Sequence, residues 1–130
     1  MLKALMLVGV GGGLGAIARY ALGGLVLHLS LQQRFPWSTF AVNVLGCFVA
    51  GLLAGLVERQ HVLGPETRLF LFTGLLGGFT TFSAFGLDAV ALLRRGELLL
   101  AGLYAGGSVL LGVAALWAGM RLLGAGAGQG

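Results

Sequence analysis

Long apolar runs alternate with short polar connectors along the whole chain. Residues 39–57, 69–87 and 98–120 carry no charged side chain, and a fourth run, 4–29, is interrupted by Arg19. A helix rises about 1.5 Å per residue, so ~20 residues cross a hydrocarbon core of ~30 Å. Each run is long enough. The connectors are turn-type segments: Gln32-Gln33-Arg34-Phe35-Pro36, then 58–68 with its Gly64-Pro65, then Arg94-Arg95-Gly96-Glu97. The pattern predicts an all-α membrane protein with four transmembrane helices, at approximately 4–29, 39–57, 69–93 and 98–121. They form one domain over 1–123, followed by a tail, 124–130, of Gly, Ala and Gln that is expected to be disordered. Lys3, the apolar stretch behind it and Ala16-Ile17-Ala18 imitate a secretory signal and its cleavage site. Apolar sequence resumes after Arg19, however, so the first run reads as a span.

Composition narrows the class. Only 9% of the 130 residues are charged and 58% are hydrophobic, against about 25% charged in soluble domains. Glycine contributes 25 residues without a G-x-y period and proline only 2, which excludes collagen and low-complexity disorder. The single Cys47 excludes a disulfide framework or a cysteine-based zinc site within one chain. The basic residues are scattered singly or in pairs, so no nucleic-acid-binding patch forms.

Four spans place both termini and the central loop on one side, with Lys3, Arg59, Arg68 and Arg121. Arg34, Arg94 and Arg95 lie opposite. This near-balance gives no orientation by the positive-inside rule. Either a weak bias is corrected by other factors, or copies insert both ways and pair antiparallel. A chain this small does not readily enclose a water-filled path alone, so an oligomer, and a dimer first, is expected.

Glycines recur four apart at Gly11 and Gly15, Gly51 and Gly55, and Gly102 and Gly106. The spacing lets membrane helices approach closely through their backbones, although in a chain this rich in glycine some such pairs also arise by chance. Polar side chains inside the runs are the functional candidates. Burying Arg19 is expensive, by about 2.5 kcal/mol or more; it either snorkels to an interface or stands at the mouth of an anion pathway. Asn43 lies one turn beyond Thr39, and Tyr104 and Ser108 share a face by the same spacing. Both sets read as interhelical glue or as pathway donors. Asp88, near the end of the third span, meets water or pairs with a nearby arginine.

The third run holds the strongest signal, Gly74-Leu75-Leu76-Gly77-Gly78-Phe79-Thr80-Thr81-Phe82-Ser83-Ala84-Phe85. Paired glycines followed by paired threonines in mid-membrane predict a helix broken near Gly77–Thr81. Such a break frees carbonyls that suit cations and a half-helix N-terminus that suits anions. Phe82 and Phe85 follow on one face. Aromatics usually pack, but a phenyl ring also has an electropositive edge that can meet an anion.

These residues, in this order, resemble the small fluoride channels of the Fluc or CrcB family. The likeness runs through Gly12-Gly13-Leu14-Gly15-Ala16-Ile17-Ala18-Arg19-Tyr20, Thr39-Phe40-Ala41-Val42-Asn43-Val44-Leu45-Gly46, the third-run string, and Tyr104 with Ser108. The resemblance implies an antiparallel, dual-topology homodimer in the lipid bilayer of the cell inner membrane, with two pores each lined by both subunits. It implies passive fluoride efflux that lowers cytoplasmic fluoride. Asn43 would donate to the ion, and Phe82 and Phe85 would present ring edges. Thr81, Ser83, Tyr104 and Ser108 would supply hydroxyls, and Arg19 would draw anions into the vestibule. It further implies a structural sodium ion, not transported, held by carbonyls of Gly77 and Thr80 from both chains. Three positions depart from the family's usual residues: Ala84, where a hydroxyl is common, Asp88, often Glu, and Gly112, a hydroxyl in some members.

Two other classes compete. A small multidrug exporter of cations would want a carboxylate in a span, commonly the first, where this chain has Arg19 instead. A non-conducting membrane assembly subunit would leave the broken third helix without a purpose. No nucleophile–base–acid set points to an enzyme. His28 and His61 lie at or beyond span ends, where they read as interfacial residues.

Overall fold

The computed structural model describes residues 1–30, 34–60 and 63–124. Gln32, Gln33, His61 and the tail from 125 onward lie outside the described residues. Among the described residues, four helical segments are long and apolar enough to cross a membrane. Helix α1 spans Leu2–Leu29 and α2 spans Trp37–Gln60. The third span, Pro65–Arg94, is composite. It comprises α3 (Pro65–Arg68), a π-helix (Leu69–Leu76), α4 (Gly77–Phe79) and α5 (Phe82–Arg94). Helix α6, Leu98–Leu123, completes the bundle.

Local chemistry sets the ends. The third span starts at Pro65, ahead of the apolar run, because Gly64 is extended and proline suits the first helical position. Its polar first turn, Glu66 with Arg68, precedes the uncharged stretch. Helix α5 closes on Gly96, whose φ of 78° lies in the left-handed region that a side chain disfavours. There the Gly96 amide donates to the Leu93 carbonyl at 3.0 Å and the Glu97 amide to the Leu92 carbonyl at 2.9 Å, which turns the chain into α6. Ion pairs tie the connectors at each end. Lys3 meets Glu66 at 2.8 Å, and Arg34 meets Glu97 at 2.5 Å. The first pair puts the N-terminus beside the start of the third span, as an even number of crossings requires.

Glycine decides which helices touch. α1 packs on the π-helix and α4, and α2 packs on α6. A methyl added to Gly15 would overlap the Leu75 carbonyl and lie 2.8 Å from the Phe79 amide nitrogen. A methyl on Gly55 would stand 2.8 Å from the Met120 carbonyl, and one on Gly51 would overlap that of Leu116. Two of the three expected glycine pairs are therefore backbone contacts. The third is not: nothing lies within 4 Å of the added methyl at Gly102 or Gly106. Those glycines face away from the bundle.

The third span changes partners half-way. Its first part leans on α1, and α5 leans on α6 instead. Leu92, Ala101 and Tyr104 form the buried cluster at that second contact, with Phe35, Phe40 and Phe85 packed around it. Elsewhere large apolar side chains face outward along all four spans, as lipid allows.

Candidate functional site

The switch of partners requires an interruption, and Thr80 and Thr81 provide it. Both are extended, at φ −83°, ψ 157° and φ −150°, ψ 118°. Gly77 and Gly78 remain helical, so the break is at the threonines, and Gly78 serves close contact with Gly12 of α1. Extended residues free backbone groups that hydrocarbon cannot satisfy. Side chains from α1 and α2 take up several of them.

Asn43 in α2 grips the Thr81 peptide group by group. Its Nδ2 donates to the Thr81 carbonyl at 2.9 Å, and its Oδ1 accepts from the Thr81 amide at 2.8 Å. Arg19 in α1 donates from Nε to the Gly78 carbonyl at 3.1 Å. The Thr80 hydroxyl donates to the Leu76 carbonyl at 3.0 Å. Thr81 caps α5, its hydroxyl oxygen accepting from the Ala84 amide at 3.2 Å, a usual task for threonine at that position. The carbonyls of Gly77, Phe79 and Thr80 receive none of these bonds.

Beside the break lies an open groove of about 300 Å³, lined by Asn43, Cys47, Thr80, Thr81, Phe82, Phe85, Ser108 and Val109. It brings together five of the residues expected along the anion path, Asn43, Thr81, Phe82, Phe85 and Ser108, and with them Thr80. Phe82 is 84% exposed, and its ring runs nearly parallel to that of Phe85, 30° apart with centroids at 5.7 Å. Phe85 in turn rests on Tyr104, centroids 4.9 Å apart.

Tyr104 and Ser83 stand outside the groove wall. Tyr104 is fully buried and its hydroxyl donates to Asp88 Oδ2 at 3.1 Å. The partner of Asp88 is thus a tyrosine, not an arginine. Ser83 is exposed, with its hydroxyl 3.4 Å from that of Thr81. Arg19 lines a separate cavity of about 460 Å³ together with Ser38, Thr39, Val42, Thr81 and Ala84. Thr81 borders both spaces. Cys47 was missed as a lining residue, although it sits one turn past Asn43 and the spacing marks it.

Among the described residues no cluster of His, Cys, Asp or Glu could hold a metal ion. A hard cation would have to rely on carbonyl oxygens. Those of Gly77, ahead of the break, and of Thr80, within it, fit this need: like that of Phe79 between them, they are not taken up by Asn43, Arg19 or the threonine hydroxyls.

A family model described as CrcB-like protein, Camphor Resistance (CrcB), matches residues 6–120. The chain belongs to the CrcB family. The CrcB match reaches from the first turns of α1 to near the end of α6 and so contains Arg19, Asn43, the break and Ser108. Its relatives are similar over nearly their whole length. A fluoride-specific ion channel FluC of Methylobacillus flagellatus is 50% identical over 118 residues, 91% of this chain and 92% of the relative. One from Rhizobium etli is 51% identical over 123 residues, 95% of this chain and 97% of the relative. Another, from Flavobacterium psychrophilum, is 43% identical over 119 residues, 92% and 95% of the two chains.

Proposed function

We propose that this chain is a fluoride-selective ion channel of the inner membrane, working as an antiparallel, dual-topology homodimer with two pores. The observation that carries this reading is the half-open groove at the break. It gathers amide, hydroxyl and aromatic C–H donors in one strip of an otherwise apolar surface.

Fluoride is small and strongly hydrated, so a path through hydrocarbon must replace its water with donors. Asn43 can hold the break and meet the ion at once, because a side-chain amide has two N–H donors and Thr81 takes one. The Phe82 and Phe85 edges carry the positive rim of the ring quadrupole. Ser108 and Thr81 add hydroxyls. A series of moderate contacts lets an ion enter and leave, as conduction requires. Tyr104, committed to Asp88, acts by seating Phe85, and Ser83 lies beside Thr81 at the exposed rim. The terminal amines of Arg19 attract anions at the cavity it shares with Thr39 and Thr81.

The exposure of Phe82 favours a second wall supplied by an inverted copy. Facing breaks would bring two pairs of Gly77 and Thr80 carbonyls together around a structural sodium ion, which is not transported. Held there by the Gly77 and Thr80 carbonyls, such an ion would supply a fixed positive charge that offsets their clustered dipoles. In the cell, acid carries HF inward, HF dissociates in the cytoplasm, and the channel returns the anion down its gradient.

Purified protein in liposomes should dissipate a fluoride gradient electrically and leave a chloride gradient standing. Equal rates for the two ions would overturn the reading.

A further inference from the structure

We propose that Arg19 is a positioning residue for the break, acting through the Gly78 carbonyl by its Nε–H. The proposal rests on the channel reading above and gives Arg19 a task separate from its charge.

The packed face of α1 leads to it. A methyl on Gly78 would overlap the Gly12 carbonyl, and Gly15 stands against the Phe79 amide. Arg19 follows on the same face, one turn past Gly15. Helical side chains lean toward the N-terminus of their helix, so Arg19 reaches back to the level where α4 touches α1. There its Nε lies 3.1 Å from the Gly78 oxygen, in a part-buried bond that joins positions 59 residues apart.

That carbonyl needs a partner. In an unbroken helix it would accept from the Phe82 amide, but the extended threonines remove that donor from its regular place. Arg19 thus anchors the near end of the break from α1, as Asn43 anchors the far end from α2. Between the anchored groups lie Phe79 and Thr80, whose carbonyls receive no bond from either side chain. Fixing Gly78 and Thr81 fixes the backbone that carries them. The bond uses the single hydrogen of Nε, while the other four N–H donors of the guanidinium are on its two terminal nitrogens. One side chain can therefore brace the backbone with its Nε–H and still present a charged, donor-rich end to an anion.

Chemistry separates the two tasks. The amide nitrogen of Gln stands the same number of bonds from the backbone as the arginine Nε, so Arg19→Gln keeps the donor and removes the charge. Arg19→Met has similar reach and removes both. Each variant is purified whole, its assembly read by size exclusion and thermal unfolding, and its fluoride flux per assembled channel measured at low and high salt. Arg19→Gln should assemble as the wild type does, with a flux deficit that high salt abolishes by screening. Arg19→Met should either fail to assemble or lose flux about tenfold at every salt, the scale of one lost charge-assisted hydrogen bond. If Gln and Met behave alike, in assembly and in high-salt flux, the brace is wrong. Absence of fluoride flux in the wild type would instead sink the channel reading, and the Gln–Met comparison of thermal unfolding would still decide the brace.

Discussion

Asn43 and Thr81, on different helices, share two hydrogen bonds through one side-chain amide and one residue's backbone. The donor and acceptor of Asn43 match the carbonyl and amide of Thr81 at 2.9 and 2.8 Å. No smaller side chain offers both groups at that reach. Asn43→Ala leaves the two backbone groups without this partner, and we expect a loss of about 1–3 kcal/mol, the range for an unsatisfied buried polar group. Asn43→Asp keeps an acceptor but faces the Thr81 carbonyl without a donor, so it should unfold early and conduct little. Thermal unfolding of the purified variants in detergent tests both; wild-type stability in Asn43→Ala would show that the break holds itself.

The glycine contacts make a contrast that stability measurements can read. Gly15→Ala places a methyl into the Leu75 carbonyl and the Phe79 amide, and backbone cannot move aside as a flexible side chain would. We expect it to destabilise by at least the ~1–3 kcal/mol of ordinary overpacking. Gly102→Ala meets nothing within the subunit and should leave its folding intact. Equal melting of the two variants would contradict the contact geometry.

Phe82 and Phe85 offer the sharpest test of the anion path. Phe82 is 84% exposed, so Phe82→Leu removes little packing inside the subunit. Phe85→Leu conserves bulk against Tyr104 and should cost under about 1.5 kcal/mol. Leucine has no electropositive ring edge. Fluoride efflux should therefore collapse in both variants while size-exclusion elution stays normal. Near-normal efflux in both would assign the rings to packing and leave Asn43 and the hydroxyls to carry the ion.

Dual insertion is accessible to labelling. Thr67 is exposed in the first turn of the third span, on the side that also carries Lys3. In a Cys47→Ser background, Thr67→Cys should react with impermeant thiol reagents from both sides of the membrane. Reaction from one side alone would refute it.

The spans and the break were legible because each has a one-dimensional signature. Charge-free length marks a crossing, and Gly77-Gly78 with Thr80-Thr81 marks poor helix material, although only the threonines leave the helix. The winding of Leu69–Leu76 as a π-helix was not legible. Its sequence, LFLFTGLL, contains no breaker ahead of Gly74, and a close backbone contact, with Gly11, is on another helix. Arg19 shows the same limit. Its place inside an apolar run was plain, but its partner lies 59 residues away. At Gly102 and Gly106 no neighbour arrives within the subunit: a four-residue repeat permits close approach and says nothing of which helix arrives. At the site, Asn43, Thr81, Phe82, Phe85 and Ser108 do converge. The pairing of Tyr104 with Asp88 depends on how α5 rests on α6, which follows only once the break has redirected the chain.

The break stands near the middle of the 30-residue third span. Turning the molecule upside down therefore leaves Thr80 and Thr81 at nearly the same depth. A break one turn from either end would be carried by inversion across most of the ~30 Å hydrocarbon layer. Because it is central, two copies inserted in opposite senses can bring their breaks level without sliding past each other. The near-balance of basic residues on the two sides would then carry no penalty: either orientation delivers the same halfway point.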